Sequence, residues 1–411
     1  MANTLSHAER RIAQRARSLN SSAIREILKL TERPEMISFA GGIPSPASFP
    51  LAALRDASAR ATHASSADAF QYSATEGYAP LREWIAREHS SRQHPVAPSN
   101  LLITSGSQQA FDLIGKVLVD PQSAVLVERP SYPGALQSLS LYEPEFVSVQ
   151  TDEHGMVSKA LEYVEPERAA LLYLQPNFQN PTGARLPIQR RRKIAEIAQR
   201  TRLIVVEDDP YAALAFDGGQ SLPTIHSMAP DNVIYLGSFS KVLAPGLRVG
   251  YMIVPGALQK KFVQVKQAAD LHSSTLSQRI VYESVRGGLL ATHVPRLASF
   301  YREQCAAMLS ALDAHMPEGG HWNVPEGGMF IWLALPPDID SAALLEDALA
   351  LNVAFVPGAP FFARDPLHHF LRLSFATVSP QQIDCGIERL AALINAYSRA
   401  FTPVFDLDLD R

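Results

Sequence analysis

Ser238-Phe239-Ser240-Lys241-Val242-Leu243-Ala244-Pro245-Gly246-Leu247-Arg248 follows directly on Val233-Ile234-Tyr235-Leu236, a continuous apolar run that predicts a buried strand ending at Gly237. A lysine set among small hydroxyl residues just beyond such a strand is an unusual thing to build. Its ammonium is strongly hydrated, and burial lowers its pKa and leaves the nucleophilic amine that a Schiff-base lysine needs. Arg248 comes seven residues later, beyond a Pro-Gly turn, where the chain can fold back and aim a guanidinium at the same place. The lysine suits an aldehyde and the arginine a phosphate. The alternative for this stretch alone is a surface loop with two solvated cations.

Outward from it the same pattern recurs. Leu101-Leu102-Ile103-Thr104 runs into Ser105-Gly106-Ser107-Gln108-Gln109 and a helix from Ala110. Ala124 to Val127 runs into Glu128-Arg129-Pro130-Ser131-Tyr132-Pro133-Gly134. Ala170 to Leu174 precedes Gln175-Pro176-Asn177-Phe178-Gln179-Asn180-Pro181-Thr182-Gly183, and Leu203 to Val206 precedes Glu207-Asp208-Asp209-Pro210-Tyr211. Short apolar runs separated by helical segments predict an α/β fold with a mostly parallel central sheet flanked by helices on both faces. Ligands of such sheets bind beyond the carboxyl ends of the strands, and each unusual polar cluster here lies just after a strand.

The flanks are organised differently. Residues 1–35 predict a helical arm, with helix-spaced apolar positions from Ser22 to Leu30, and Met36 to Phe39 an extended run. The arm is arginine-rich and acid-poor like a transit peptide, but an amphipathic segment packed on the folded protein is preferred. Helices are expected at Leu51–Ala61 and around Leu81–His89, and residues 36–295 are assigned to a large domain in which 36–60 joins the two domains. Residues 296–411 predict a smaller α+β domain, with helices at Pro295–Leu312, Ala342–Ala350 and Gln381–Tyr397. Its strands are expected at Met329–Leu333, Val353–Val356 and Leu371–Phe375, and Phe405 to Asp410 is a frayed acidic end.

The 411 residues are 46% hydrophobic and 19% charged, with a net charge of −4, which gives no support for nucleic-acid or membrane partners. Arg190-Arg191-Arg192-Lys193 opens a helix expected over Ile194–Gln199 and is assigned to its solvated face. Cys305 and Cys385 form no metal spacing or disulfide framework, so a reducing cytoplasm is the expected location. No metal site is expected, the histidines are scattered, and neither Ser238 nor Ser240 lies in a hydrolase motif.

The clusters carry chemistry together. A pyridine nitrogen works as an electron sink while it stays protonated, and a carboxylate held against it does that. Asp208 or Asp209 can serve. Ser105-Gly106-Ser107-Gln108 opens a helix, and helix N-termini bind phosphate. Asn180 and Tyr211 can donate to a phenolate oxygen, and Tyr132 between two prolines can stack on a flat ring. Arg372, inside an apolar strand, wants a carboxylate from the protein or a substrate. With Lys241 and Arg248, these point to pyridoxal 5'-phosphate.

Tyr72, Ser105-Gly106-Ser107-Gln108-Gln109, Tyr132, Asn180-Pro181-Thr182-Gly183, Asp208-Asp209-Pro210-Tyr211, Ser238-Phe239-Ser240-Lys241, Arg248 and Arg372, in this order, resemble the class I aminotransferases of PLP fold type I. With Ile37-Ser38-Phe39-Ala40-Gly41-Gly42 and Val353 to Phe362, the likeness is to the 2-aminoadipate/kynurenine (LysN-like) subgroup and spans nearly the whole chain. The resemblance implies Lys241 as the internal-aldimine lysine, Asp208 as the pyridinium partner, and Asn180 and Tyr211 as donors to the ring oxygen. It implies Ser107, Gln108, Ser238, Ser240 and Arg248 as the phosphate cup, Tyr132 as the stacking residue and Arg372 as the α-carboxylate clamp. Tyr72 matches a residue that reaches the phosphate of the neighbouring subunit, which implies a homodimer with shared sites. Gly42 and Arg25 fall at substrate positions, Arg25 matching a partner for a distal carboxylate, although the arm departs from that branch at Ala23. The implied reaction moves an amino group from an L-α-amino acid (2-aminoadipate, aromatic or branched-chain) to 2-oxoglutarate by a ping-pong cycle through pyridoxamine phosphate. A lyase or decarboxylase with the same cofactor is the alternative, and a PLP-sensing regulator, which needs an N-terminal helix-turn-helix, fits less well.

Overall fold

The computed structural model describes residues 11–401 apart from 18, 20, 32, 64–66 and 218–221. The beginning of the expected arm, residues 1–10, and the acidic end from Phe405 to Asp410 lie outside the described residues.

Among the described residues, seven strands form the larger sheet: β1 (Leu101–Thr104), β2 (Ala124–Glu128), β3 (Glu145–Val149), β4 (Leu171–Leu174), β5 (Val205–Asp208), β6 (Val233–Ser238) and β7 (Gly250–Ile253). Their order across the sheet is β1-β7-β6-β5-β4-β2-β3. Strands β3, β2, β4, β5 and β6 run parallel, whereas β7 is antiparallel to both β6 and β1. Successive residues of a strand feed opposite faces. On β4, Leu171 and Tyr173 pack with Phe111, Ala135 and Phe262, while Leu172 and Leu174 pack with Ile194, Ile197 and Ile225. Both faces are therefore buried, which is why the central strands read as continuous apolar runs.

Two strands of this sheet have no clear sequence signature. Edge strand β3 is half-exposed with a charged start, and β7 is a short glycine-led run, so neither carries the buried-strand signal. Strand β7 matters for the site. The chain leaves β6 at the carboxyl edge of the sheet and returns along β7, so that Gly250 lies opposite both Ser238 and Thr104. The loop carrying Lys241 and Arg248 is thereby anchored at both ends on one edge.

The smaller sheet contains β8 (His321–Trp322), β9 (Phe330–Ala334), β10 (Val356–Pro357) and β11 (Phe370–Ser374) in the order β8-β9-β11-β10, antiparallel throughout. The helices Leu289–His315 and Pro380–Phe401 pack with it in one apolar core. The single strand expected over Val353–Val356 divides: Val353–Ala354 pairs in parallel with Ile37–Ser38, and Val356–Pro357 pairs with β11. Ser374 N–H also donates to Phe39 O at 2.8 Å, which carries the chain before Gly42 along the smaller sheet.

Three expectations are corrected. The described part of the arm is two short helices, Gln14–Arg17 and Ala23–Leu30, the second seated through buried Ile27. The helix assigned to Pro295–Leu312 starts at Leu289 and contains Pro295. The basic cluster is a solvated face only in part: Arg192 is exposed, whereas Arg191 is fully buried on the helix Ile188–Thr201. Its guanidinium donates to the carbonyls of Leu186 and Pro176 and to Asn177 Oδ1, pinning the loop before the helix. Arg190 pairs with Asp152 at 2.6 Å. Among the described residues no helix is long and apolar enough to cross a membrane.

Candidate active site

A cavity of about 780 Å³ opens at the carboxyl edge of the larger sheet. Strands β1, β2, β4, β5 and β6 each deliver side chains to it from the turn that follows, and the smaller sheet and the Ala23–Leu30 helix supply the opposite wall.

Lys241 lies on the β6–β7 loop with Nζ 2.7 Å from Gly42 O and 5.9 Å from the centre of the Tyr211 ring. Burial, with the positive charges of Arg372 and Arg248, brings its pKa down to about 8. The free amine therefore becomes the major form above about pH 8, well below the usual range for lysine. Arg248 sits at the end of the same loop in the left-handed region (φ 54°), where a short turn brings it back to the edge, and donates to Ser105 O at 3.2 Å. Ser240 N–H donates to Ser238 Oγ at 3.1 Å, and both serines face the cavity.

The two adjacent acids separate clearly. Asp209 accepts from Ala212 N–H and Tyr235 O–H and turns away from the cavity. Asp208 ends β5 and faces the cavity: its Oδ2 accepts from Tyr173 O–H at 2.9 Å and Gln175 Nε2 at 2.8 Å, while buried Oδ1 has no partner. Burial raises its pKa to about 6 against the lowering effect of those two donors. An orphaned buried carboxylate oxygen is costly unless a ligand donor meets it.

Asn180 enters from the loop after β4. Its Oδ1 accepts from Arg372 Nη1 at 2.8 Å, and its amide NH₂ reaches the Tyr211 hydroxyl with a second N–H left over for a ligand. Tyr211, in the turn after β5, lies beside it in the cavity wall, and burial raises its pKa. Tyr132 precedes the helix Pro133–Ser140 and closes another wall, with its ring 6.3 Å from that of Phe111.

Near Arg248, the helix Ser107–Leu118 begins at N-cap Gly106 with Ser107 and Gln108 lining the cavity, and the N–H groups of a helix's first turn have no partner within the helix and favour an anion. The Gln108 side chain donates to Ser138 Oγ. Gly106 has φ 78°, and a Cβ there would come within 2.5 Å of Arg248 Nη2. Gly106→Ala is thus expected to displace Arg248 and weaken cofactor affinity by about tenfold or more, read as a dissociation constant by fluorescence titration, since such a backbone and contact cost on the order of 1–3 kcal/mol.

Arg372 is 1% exposed on β11, donating to Ala40 O at 2.7 Å as well as to Asn180, with Nε unpartnered. Its guanidinium lies 4.3 Å from the Phe330 ring centre. Among the described residues no carboxylate pairs with Arg372 or Arg248. Arg25 reaches the outer rim from its short helix. Tyr72 does not join the cavity of its own chain: it is 79% exposed, with its ring against His272. Two residues given no role from the sequence contact Asp208, namely Tyr173 and Gln175. Gln175 stands, like the others, immediately after a strand, and that position was its available signal.

The sequence pattern of aminotransferase class I and II matches residues 34–390. A 2-aminoadipate transaminase from Thermus thermophilus is 46% identical over 378 residues, covering 90% of this chain and 93% of that protein. The aromatic-amino-acid aminotransferase 1 of Thermococcus litoralis is 40% identical over 396 residues, covering 94% of each. The crystal structure of LysN, an α-aminoadipate aminotransferase from Thermus thermophilus complexed with N-(5'-phosphopyridoxyl)-L-leucine, superposes with a TM-score of 0.89 at 42% identity, covering 96% of this chain and all of that one. The chain belongs to the pyridoxal-phosphate-dependent class I aminotransferases of fold type I, in the LysN-like subgroup, and is an aminotransferase. Its residues fit the cofactor: the free Asp208 Oδ1 suits a protonated ring nitrogen, and the Gly106 cradle with Arg248 suits a phosphate.

Proposed function

We propose that the protein moves the amino group of an L-α-amino acid to 2-oxoglutarate in two half-reactions of ping-pong type. The observation that carries this reading is the convergence, in one cavity, of Lys241, the free oxygen of Asp208, and two arginines that pair with no carboxylate among the described residues. Bound there, pyridoxal phosphate supplies an aldehyde for amines and a ring that takes up the electron pair left when a substrate Cα loses its proton. The Lys241 amine would hold that aldehyde, and the same nitrogen would accept the proton from the substrate Cα. Asp208 Oδ1 keeps the ring nitrogen protonated. The Asn180 amide and the Tyr211 hydroxyl donate to the ring oxygen, and Tyr132 stacks on the ring. Ser107, Gln108, Ser238, Ser240 and Arg248 hold the phosphate, and Arg372 holds the substrate α-carboxylate. Gly42 O steadies the Lys241 amine beside the substrate.

The donors that fit are 2-aminoadipate and aromatic or branched-chain amino acids. The cavity rim has Arg25 for a distal carboxylate and the apolar side chains of Ile24, Leu28 and Ile43 for others. Arg25→Ala is expected to lower kcat/KM for 2-aminoadipate by about tenfold, the loss of one charge-assisted contact at an exposed site, and to leave aromatic donors within about twofold. Equal losses on both remove Arg25 from specificity. The whole reading is tested with a donor panel: each active donor converts the bound cofactor to its pyridoxamine form, and 2-oxoglutarate restores it. Release of ammonia or carbon dioxide without that cycle overturns it.

Exposed Tyr72, with Phe70 (70% exposed) and Leu51 (60% exposed), supports a homodimer in which Tyr72 of one subunit reaches the phosphate site of its neighbour. Light scattering should return twice the chain mass, and a monomer that turns over at full rate excludes shared sites. Free Cys305 and Cys385 support a reducing, cytoplasmic location.

A further inference from the structure

Gln175 plays no part in the function proposed above, yet it touches two of its groups at once. It follows β4, and its side chain is 3% exposed. Nε2 donates to Asp208 Oδ2 at 2.8 Å, and Oε1 accepts from Asn180 N–H at 3.0 Å. Its own N–H donates to Oε2 of Glu128, a buried acid at the end of β2, at 2.9 Å. One residue therefore ties together the ends of three neighbouring strands and the Asn180 loop.

The choice of side chain matters. A carboxylate and a backbone N–H must be satisfied together in a buried place, and a neutral amide offers one donor group and one acceptor for that pair. A leucine of similar size leaves the Asn180 N–H orphaned and Asp208 with the Tyr173 hydroxyl alone. A glutamate keeps the acceptor and sets a second negative charge beside Asp208.

We infer that Gln175 is a positioning residue for the cofactor ring: by occupying Asp208 Oδ2 it holds Oδ1 free toward the cavity, and by the same amide it fixes Asn180 in register with that acid. The inference rests on the proposed pairing of Asp208 with the ring nitrogen. The titratable groups facing Asp208 are Asp209 beside it, Tyr173 on β4, Glu128 at the end of β2, Tyr132 beyond it and Tyr211 in the next turn. Among the groups that bear on Asp208, the Gln175 amide is the foremost that favours its ionised form. Removing this donor raises the pH at which Asp208 takes up a proton, so pairing with the ring fails at a higher pH.

The experiment compares Gln175→Leu, Gln175→Glu, Asp208→Asn and the double variant Gln175→Leu/Asp208→Asn as holoenzymes. It reads the acid-side midpoint of cofactor retention, from the absorption of protein separated from free cofactor, together with kcat and KM. Gln175→Leu is expected to raise the midpoint by about one pH unit and lower kcat about tenfold, with the donor KM within about twofold. Gln175→Glu, which is isosteric and preserves the Asn180 contact, is expected to raise it further. The midpoint shift of Gln175→Leu should vanish in the Asp208→Asn background. If neither Gln175 variant moves the midpoint while Asp208→Asn loses rate or cofactor, the inference falls and the Asp208 pairing stands. If Asp208→Asn behaves as wild type, the pairing falls and takes the inference with it. A midpoint shift of Gln175→Leu that persists without Asp208 also overturns the inference.

Discussion

Lys241→Ala is expected to lower turnover by about 10⁴-fold or more, because the proposed function makes this residue both the nucleophile and the proton carrier. The protein should stay folded and still take up cofactor. The substitution takes a cation away from the neighbourhood of Arg372 and Arg248, whose charges already oppose it, and leaves the other cofactor-facing residues in place. Steady-state rates over the donor panel, with cofactor content measured on the same samples, check this. Appreciable turnover would refute the assignment. The wild-type lysine adds a pH dependence whose sign follows from its lowered pKa of about 8: the free amine becomes the major form as pH rises through that value. Borohydride trapping of pyridoxal phosphate on cofactor-stripped protein should accelerate over that range and label Lys241.

Arg372→Leu has the second large expected effect, and it separates a substrate clamp from a structural ion pair. A fully buried guanidinium is ordinarily matched by an acid; here two neutral oxygens and the Phe330 and Phe361 rings surround it, and Nε is unpartnered. Burial lowers its pKa to about 10, so desolvation is a cost the folded chain carries by itself. Exchanging it for an apolar side chain should leave stability within about 1 kcal/mol of wild type or raise it. Removing a charge-assisted pair to the substrate carboxylate should lower kcat/KM about 10³-fold, a loss on the order of 4 kcal/mol. Thermal unfolding and kinetics on the same preparation decide the matter. A strongly destabilised variant with a proportionate loss of activity would mark Arg372 as a structural residue.

The parallel core was legible because strands buried on both faces have no polar alternation to obscure them: the runs Ala170–Leu174 and Leu203–Val206 stand out between helices, although the second strand itself lies at Val205–Asp208 and takes in two buried acids. Strand β7 escaped because it opens on glycine, a poor strand former, and has no run of branched aliphatic residues to mark it. The site was legible for a related reason, since its polar groups gather in turns at one edge. A local reading could not separate Asp208 from Asp209. They are neighbours in sequence, and the choice depends on Tyr235 reaching Asp209 and on Gln175 and Tyr173 reaching Asp208. Arg191 misled for the opposite reason: a run of basic residues looks solvated until the loop that needs its donors is folded against it.

The anchoring of the β6–β7 loop at both ends has a kinetic consequence. Lys241 and Arg248 are carried on one edge of the larger sheet, whereas Arg372 and the segment leading to Gly42 are carried on the smaller one. In the proposed function, grip on the cofactor and grip on the amino acid fall to separate sheets, bridged at the Lys241–Gly42 and Arg372–Asn180 hydrogen bonds. Loosening the pairing of Ile37–Ser38 with Val353–Ala354 should therefore raise KM for every donor while leaving the cofactor dissociation constant near its wild-type value.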